Sequence, residues 1–313
     1  GLASAFGLLW LTWGNLAPLF TGAGISFGLK KTFDIGSEVE YLIRLMEELG
    51  QTTDETGKRM VGAGSIIRAE LRAIDQETQF TLVELTQGMV RLGQAGKTQA
   101  ESLTMLKPAA HLASLGMTDL KVSVDLLIQT QALFNKTAAD TPKIAAQILQ
   151  IAKSSVLNVE DIAGSMKYAS EANTRFGKSL EETLTLLGAL AQAGLKGSTG
   201  GTALINFYRD LNGRSGPAIA GMKALEKATN SSIKVFDQFG KQRSGIDIFT
   251  DIAEASKKLK AEDADKLLAK IFSDRGGRTF FAMLREGTVD LNKMVQTLKD
   301  VDPISLFKAA SGL

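Results

Sequence analysis

Ser179-Leu-Glu-Glu-Thr-Leu-Thr-Leu-Leu-Gly-Ala-Leu-Ala-Gln-Ala-Gly-Leu-Lys-Gly-Ser-Thr-Gly-Gly-Thr-Ala-Leu204 holds a whole helix, its start and stop signals, and the opening of the next helix. Ser179 with Glu182 three residues on reads as a capping box, in which hydroxyl and carboxylate satisfy free backbone N–H groups at a helix start. Leu180, Leu184, Leu187 and Ala191 come next at spacings of four, three and four, which places them on one helical face. Gly194 stops that helix, because glycine takes the left-handed conformation that commonly closes a last turn. Gly197, Gly200 and Gly201 read as a structural hinge that, with Gly194, reverses the chain before Thr202-Ala203-Leu204-Ile205 begins a second apolar face. The product is a helical hairpin.

The pattern repeats in degenerate form upstream. Gln94-Ala95-Gly96, a polar cap at Thr98 and an apolar run to Leu103 echo Gln192-Ala193-Gly194, the polar Ser198-Thr199 and the run to Leu204. The helix before that echo carries Leu82, Leu85, Met89 and Leu92 at helical spacing, and the one after it runs from Ala100 to Ala113. Further helices are expected around Val39–Met46, from the Thr53–Thr56 caps to Asp75, and over Thr118–Phe134, Pro142–Ser154 and Val159–Arg175. Asp140-Thr141 before Pro142, and Asn158 with Asp161, supply starts for two of them. After the breaker cluster Gly213–Pro217, Ile233–Phe236 alternates and turns near Asp237–Gly240, a small β-hairpin with the residues around Arg243. Helices resume over Ile246–Leu259, Ala261–Phe272 and Arg278–Leu284.

Composition agrees with a mainly α protein. Among 313 residues, 31 glycines are many while five prolines and three tyrosines are few, which favours Ala- and Leu-rich helices broken by glycine over a sheet. With 44% hydrophobic and 22% charged residues the chain can bury a sizeable core and has room for two subdomains. A net charge of +2 lacks the concentrated cationic excess of a duplex-binding protein, and Lys257-Lys258-Leu259-Lys260 reads as a solvated helix face. The chain opens at Gly1 rather than at methionine, as expected of a piece of a longer polypeptide.

Residues 1–29 carry no charge and are succeeded at once by Lys30-Lys31. Leu8, Leu9, Trp10, Leu11 and Trp13 make this a candidate membrane segment, long enough as a helix to cross a hydrocarbon core of about 30 Å. Asn15, Pro18 and Gly14, Gly22 and Gly24 interrupt it, so a buried or oligomer-packed helix is the competing reading.

Little in the chain points to catalysis, and no catalytic, cofactor-binding or metal-ligating residue is assigned. No cysteine is present, which excludes disulfides, thiolate nucleophiles and cysteine-ligated metals. His111 is the single histidine, so a two-histidine metal site is excluded, and its apolar neighbours mark it as a packed helix residue. Gly194–Gly201 lacks the Gly-Lys-Ser/Thr ending of a phosphate loop, and Gly62-Ala63-Gly64 has Ile67 where a dinucleotide fingerprint needs its third glycine. Glu181 and Glu182 are adjacent, so on a helix they diverge rather than pair.

With these residues in view, the chain resembles the conserved domain of phage tail tape measure proteins. The resemblance is carried by Ser179–Leu204, by Phe80-Thr-x-x-Glu84-Leu-x-x-Gly88-Met-x-x-Leu92-x-x-Ala95-Gly96, and by Val159-Glu-Asp-Ile-x-x-Ser165-Met-Lys-Tyr168. Val235-Phe236-Asp237 with Gly240-Lys241, and Phe272-x-x-Arg275-Gly-Gly277, extend it over about Thr32 to Glu286. The chain departs from the pattern at Asn206-Phe207-Tyr208-Arg209, where small and aliphatic residues are usual, and this leaves the packing partner of that helix open. The resemblance implies a structural virion protein of the tail lumen that sets tail length, nucleates tube assembly and leaves with the DNA into the host. It also implies as partners the tail tube, the tail tip or baseplate hub, tail assembly chaperones, other copies as trimer or hexamer, and the host inner membrane.

The expected architecture is an irregular bundle of amphipathic helical hairpins with one small β-hairpin, preceded by an apolar N-terminal helix. Residues 1–31 form the apolar segment, 32–215 a helical core with the internal repeat, and 216–313 a helical subdomain with the hairpin near 233–244. The competing functional class is a bacterial pore-forming or membrane-remodelling helical protein, which rests on the apolar segment alone. A carboxylate-dependent helical hydrolase is disfavoured, since no two carboxylates are placed on one face.

Overall fold

The computed structural model describes residues 63–211, 216–272 and 275–311. The helix expected around Val39–Met46 and the apolar segment 1–29 lie outside the described residues. Those described form a mainly α structure: α1 (Ala63–Glu77), α2 (Leu82–Gln94), α3 (Gln99–Leu115), α4 (Leu120–Phe134) and α5 (Thr141–Ser154), then α6 (Val159–Phe176), α7 (Leu180–Gln192), α8 (Gly197–Leu211) and α9 (Gly216–Thr229), and finally α10 (Gly245–Lys257), α11 (Ala261–Ile271), α12 (Arg275–Glu286), α13 (Leu291–Asp300) and α14 (Pro303–Ser311). The chain divides into two compact units, Gly1–Ala110 and His111–Leu313, and the division falls within α3.

In the first unit α1 packs on α2. Ile67, Leu71 and Ile74 of α1, and Leu85, Met89 and Leu92 of α2, are buried at the four- and three-residue spacings of one helical face. Thr81 and Glu84 cap α2 reciprocally, the Thr81 hydroxyl accepting from the Glu84 N–H while the Glu84 carboxylate accepts from the Thr81 N–H at 2.8 Å. Lys107 of α3 is ion-paired with Glu77 of α1 at 2.8 Å.

The second unit is organised around α7, which is bordered by α5, α6, α8, α10, α12 and α13. Leu180 and every residue from Glu182 to Ala191 are buried. The single apolar face read from the spacing of Leu180, Leu184, Leu187 and Ala191 is therefore widened by the structure: Leu186 and Leu190, off that stripe, are 0% exposed. A helix that is apolar all round belongs in a core, and each fully buried leucine there contributes about 1.5–3 kcal/mol.

The structure also supplies the partner of Asn206–Arg209. Phe207 of α8 enters an aromatic cluster with Phe249 of α10, Phe272 at the end of α11, and Phe280 and Phe281 of α12, with ring centroids 4.2 to 6.4 Å apart. Rings at these separations stack or meet edge to face, adding to the burial energy. The expected β-hairpin is reduced to one antiparallel bridge, Phe236 with Gln242, over the turn at Asp237–Gly240. Two helices went unforeseen, α13 and α14. Lys143 of α5 donates to the carbonyls of Lys299 and Val301, capping the end of α13, and Phe307 of α14 stacks on His111 at 5.2 Å.

Candidate functional site

The glycine-rich turn and the core beneath it form the most elaborate local structure in the second unit. Helix α7 ends on Ala193, and Gly194 has φ of +88°, the left-handed conformation expected of it. The Gly194 N–H donates to Ala191 O at 2.9 Å and the Leu195 N–H to Leu190 O at 3.0 Å, the paired bonds of a Schellman stop. Helix α8 then starts at Gly197, whose φ is +55°.

Gly200 and Gly201, read as part of the turn, lie inside the first turns of α8; Gly200 still serves the turn, since a Cβ there would stand 2.8 Å from Leu195 O, while Gly201 provides space for α6. α8 packs on α6 more extensively than any other helix pair in the unit. A Cβ on Gly201 would collide with the carbonyl oxygen of Ser165 and stand 2.8 Å from Tyr168 Cβ, and one on Gly164 would stand 3.5 Å from Gly197 Cα. The Ser165 hydroxyl donates across this contact to Gly197 O at 2.7 Å. Glycine here serves close helix approach, as small residues do wherever two helical backbones nearly touch.

Below the turn sits a polar node. The Glu182 carboxylate accepts from the Tyr208 hydroxyl and from the Gly245 N–H, each at 2.7 Å, so it caps the start of α10 rather than its own helix. The expected capping box is therefore half formed: the Ser179 hydroxyl accepts from the Glu182 N–H at 3.1 Å, and the reciprocal bond gives way to the buried partners. Lys178, 3% exposed, lies 3.8 Å from the same carboxylate, donates to Arg243 O at 2.6 Å and sits 5.2 Å from the Tyr208 ring centroid. Burial lowers the pKa of Lys178 against the opposing pull of the Glu182 carboxylate. Burial, then the charge of Glu182, raises that of Tyr208 well above the ordinary phenol range. The neighbouring Glu181 turns elsewhere and accepts from Gln147 Nε2 at 2.9 Å, so the two adjacent carboxylates diverge.

Chemically this is an architecture of caps and close contacts. Among the described residues no group of three or more histidine, aspartate or glutamate side chains is arranged to hold a metal. No helix among the described residues is long and apolar enough to cross a membrane; Leu8, Leu9, Trp10, Leu11 and Trp13 lie outside them.

A family model described as phage-related minor tail protein matches residues 68–273, a span running from α1 to the end of α11. The chain belongs to this family. It is 25% identical to the tape measure protein of Pneumococcus phage Dp-1 over 271 residues, covering 86% of this chain and 22% of that protein. No solved structure matches the chain. The minor tail protein is thus a structural component of the phage tail. Stretches of the matched span meet in space: Ser165 and Tyr168 are the residues against which Gly201 packs.

The polar node was missed in the sequence although Lys178 and Glu182 stand four apart, an ion-pair spacing on a helix. That spacing is common on solvated faces. Only Tyr208 and Gly245, 26 and 63 residues from Glu182, distinguish this pair from a surface one.

Proposed function

We propose that this chain is a segment of a tail tape measure protein: it lies in the tail lumen, sets tail length, nucleates tube assembly and leaves with the DNA at infection. The reading rests on the alignment to a tape measure protein over 86% of the chain. Its partners on this reading are the tail tube, the tail tip or baseplate hub, tail assembly chaperones and further copies of itself, as trimer or hexamer. The domain division drawn from the sequence, 1–31, 32–215 and 216–313, is retained as a proposal, with the last two sharing the core that joins Glu182 to Gly245 and Phe207 to Phe249.

Electron microscopy of tails assembled after in-frame deletion of residues 63–311 tests the ruler. A helical ruler shortens the tail by about 1.5 Å per residue removed. Tails of unchanged length remove the ruler role from this region. Residues 1–29 are proposed to engage the host inner membrane, in the host cell envelope after ejection. Flotation with liposomes of the chain with and without these residues tests that, and equal flotation ends it.

A further inference from the structure

Among the described residues, the exposed large apolar side chains stand singly along the chain, except for Phe236 and Phe239, 46% and 84% exposed at the turn between α9 and α10. Scattered apolar side chains are normal on a protein surface, whereas two aromatic rings on one tip make a contact surface. The backbone that presents them is held on both legs. Ile233 is buried and its N–H donates to the Glu226 carboxylate at 2.7 Å, and the Arg243 N–H donates to Val235 O at 2.9 Å. Across the turn the Asp237 carboxylate accepts from the Phe239 and Lys241 N–H groups, each at 2.9 Å, and the Asp237 N–H donates to Lys241 O at 2.8 Å. At the base, Lys178 reaches from the core to Arg243 O at 2.6 Å, and Arg243 is ion-paired with Asp251 at 2.7 Å. A fixed backbone therefore displays the rings, and little ordering entropy is left to lose when they are covered.

The charge left around the rings is cationic. Lys234 and Lys241 are exposed on either side of them, while the one acid between, Asp237, has its carboxylate engaged by two backbone N–H groups, and the charge of Arg243 is met by Asp251. Two ammonium groups beside two rings are what the tip offers a partner. Phenylalanine has no polar atom to direct a hydrogen bond, and a projecting tip has no groove along which a nucleic-acid backbone could run. A bilayer requires neither. Its interface takes apolar rings without a shaped recess, and its anionic headgroups attract lysines that flank them. Long lysine stems keep the ammonium groups at phosphate level while the rings go deeper.

We propose that this tip docks on an anionic lipid surface, with Phe236 and Phe239 entering the interfacial layer and Lys234 and Lys241 against the lipid phosphates. The contact is separate from that proposed for residues 1–29 and gives the second unit its own hold on a membrane. Two rings and two lysines make a reversible attachment, since lasting anchorage takes more apolar surface.

The chain has no cysteine, so Gln238→Cys places a single thiol at the tip, where the environment-sensitive fluorophore NBD reports that site and no other. The labelled 313-residue chain is titrated with phosphatidylcholine vesicles containing about 30% phosphatidylserine, an anionic surface of the kind that attracts lysine. NBD emission rises and shifts to the blue, and phosphatidylcholine alone or added salt weakens the response, since salt screens the attraction. Phe239→Ser, at an exposed position, leaves the helical circular dichroism signal unchanged and raises the lipid concentration for half response at least about tenfold. Lys234→Glu with Lys241→Glu raises it also. A label that stays in water while the chain floats with the vesicles overturns the tip contact and leaves that of residues 1–29 standing. An emission change that is equal in the Phe239→Ser variant overturns it as well. A chain that neither floats nor changes emission overturns both readings. A response to single-stranded oligonucleotide and none to vesicles makes the tip a stacking platform, and also overturns the proposal.

Discussion

Helices α2 and α7 have the same caps and different surroundings. Each has 13 residues; their C-caps, Ala95 at φ −81°, ψ 8° and Ala193 at φ −83°, ψ 8°, nearly coincide. Gly96 at φ +80° closes one as Gly194 at +88° closes the other, with Lys97 N–H donating to Leu92 O as Leu195 N–H donates to Leu190 O. Yet Glu84 folds back on its own N-cap, while Glu182 is drawn inward to Tyr208 and Gly245. After the turn, Thr98 and Glu101 cap α3 with a closed box of their own, whereas α8 begins with glycines laid on α6. The same local code serves a half-exposed helix in one unit and a core helix in the other. Burial, rather than the motif, decides what the N3 glutamate does.

The largest expected difference between the two is at that glutamate. Glu182→Ala removes the counter-charge of Lys178 and the carboxylate that accepts from the Tyr208 hydroxyl and the Gly245 N–H in the core, and is expected to cost about 3–5 kcal/mol, as does breaking a buried ion pair. Glu84→Ala removes an exposed cap partner and costs about 1 kcal/mol or less. Hydrogen exchange at the α7 and α2 amides reads both, and equal loss of protection in the two would break the comparison.

Next comes the contact that the first hairpin lacks. Gly201→Ala forces a methyl into the Ser165 carbonyl, and overpacking of this kind costs about 1–3 kcal/mol. Chemical denaturation monitored by circular dichroism measures it; an unchanged midpoint would show that α6 and α8 separate freely. Gly96→Ala and Gly194→Ala should by contrast match, each costing about 1–2 kcal/mol for a left-handed alanine, since no heavy atom lies within 4 Å of the added carbon in either. A difference of more than about 1 kcal/mol between them would mean that the turns differ in more than φ.

The smallest effect is a pH dependence confined to the buried node. Tyr208 is raised above the unfolded phenol value of about 10, so its share of stability is fully present below pH 10 and is lost as pH rises through the folded value. Lys178 acts the other way: its lowered pKa means the unfolded chain holds more protons, so stability from this group rises with pH up to about 10.5. Tyr208→Phe should flatten the fall in denaturation midpoint above pH 10, and Lys178→Met the rise below it. A Tyr208→Phe profile that still falls in parallel with the parent would assign the alkaline loss to another group.

The caps were legible because they are local. Ser179, Gly194 and Asn158 with Asp161 each act within four residues of themselves, and Asn158 Oδ1 does accept from the Asp161 N–H, at 2.6 Å; Asp140, expected to start α5, makes no side-chain bond to it and instead accepts from the Thr137 N–H at 2.7 Å, closing the short 3-10 turn Ala138–Asp140. Helices α13 and α14 were not legible for the opposite reason. α13 buries only Leu291 and Leu298, seven residues apart, and its end is held by Lys143, more than 150 residues away in sequence. Gly201 reads as part of a turn because a run of glycines has one obvious local use; the Ser165 backbone that needs its missing side chain is invisible in sequence.

By itself, then, the sequence determined where most of the helices up to α11 start and stop, that the protein is mainly α, and the motif order that places it among phage tail proteins. These arise from hydrogen bonds and backbone conformations closed within a turn of chain. The tertiary structure decided that α7 is buried on all sides, that Glu182 caps α10 instead of its own helix, and that Gly201 is a contact rather than a bend. Each of those depends on which distant segment excludes water from a given side chain, and exclusion of water sets the cost of leaving a charge, a hydroxyl or a peptide group without a partner.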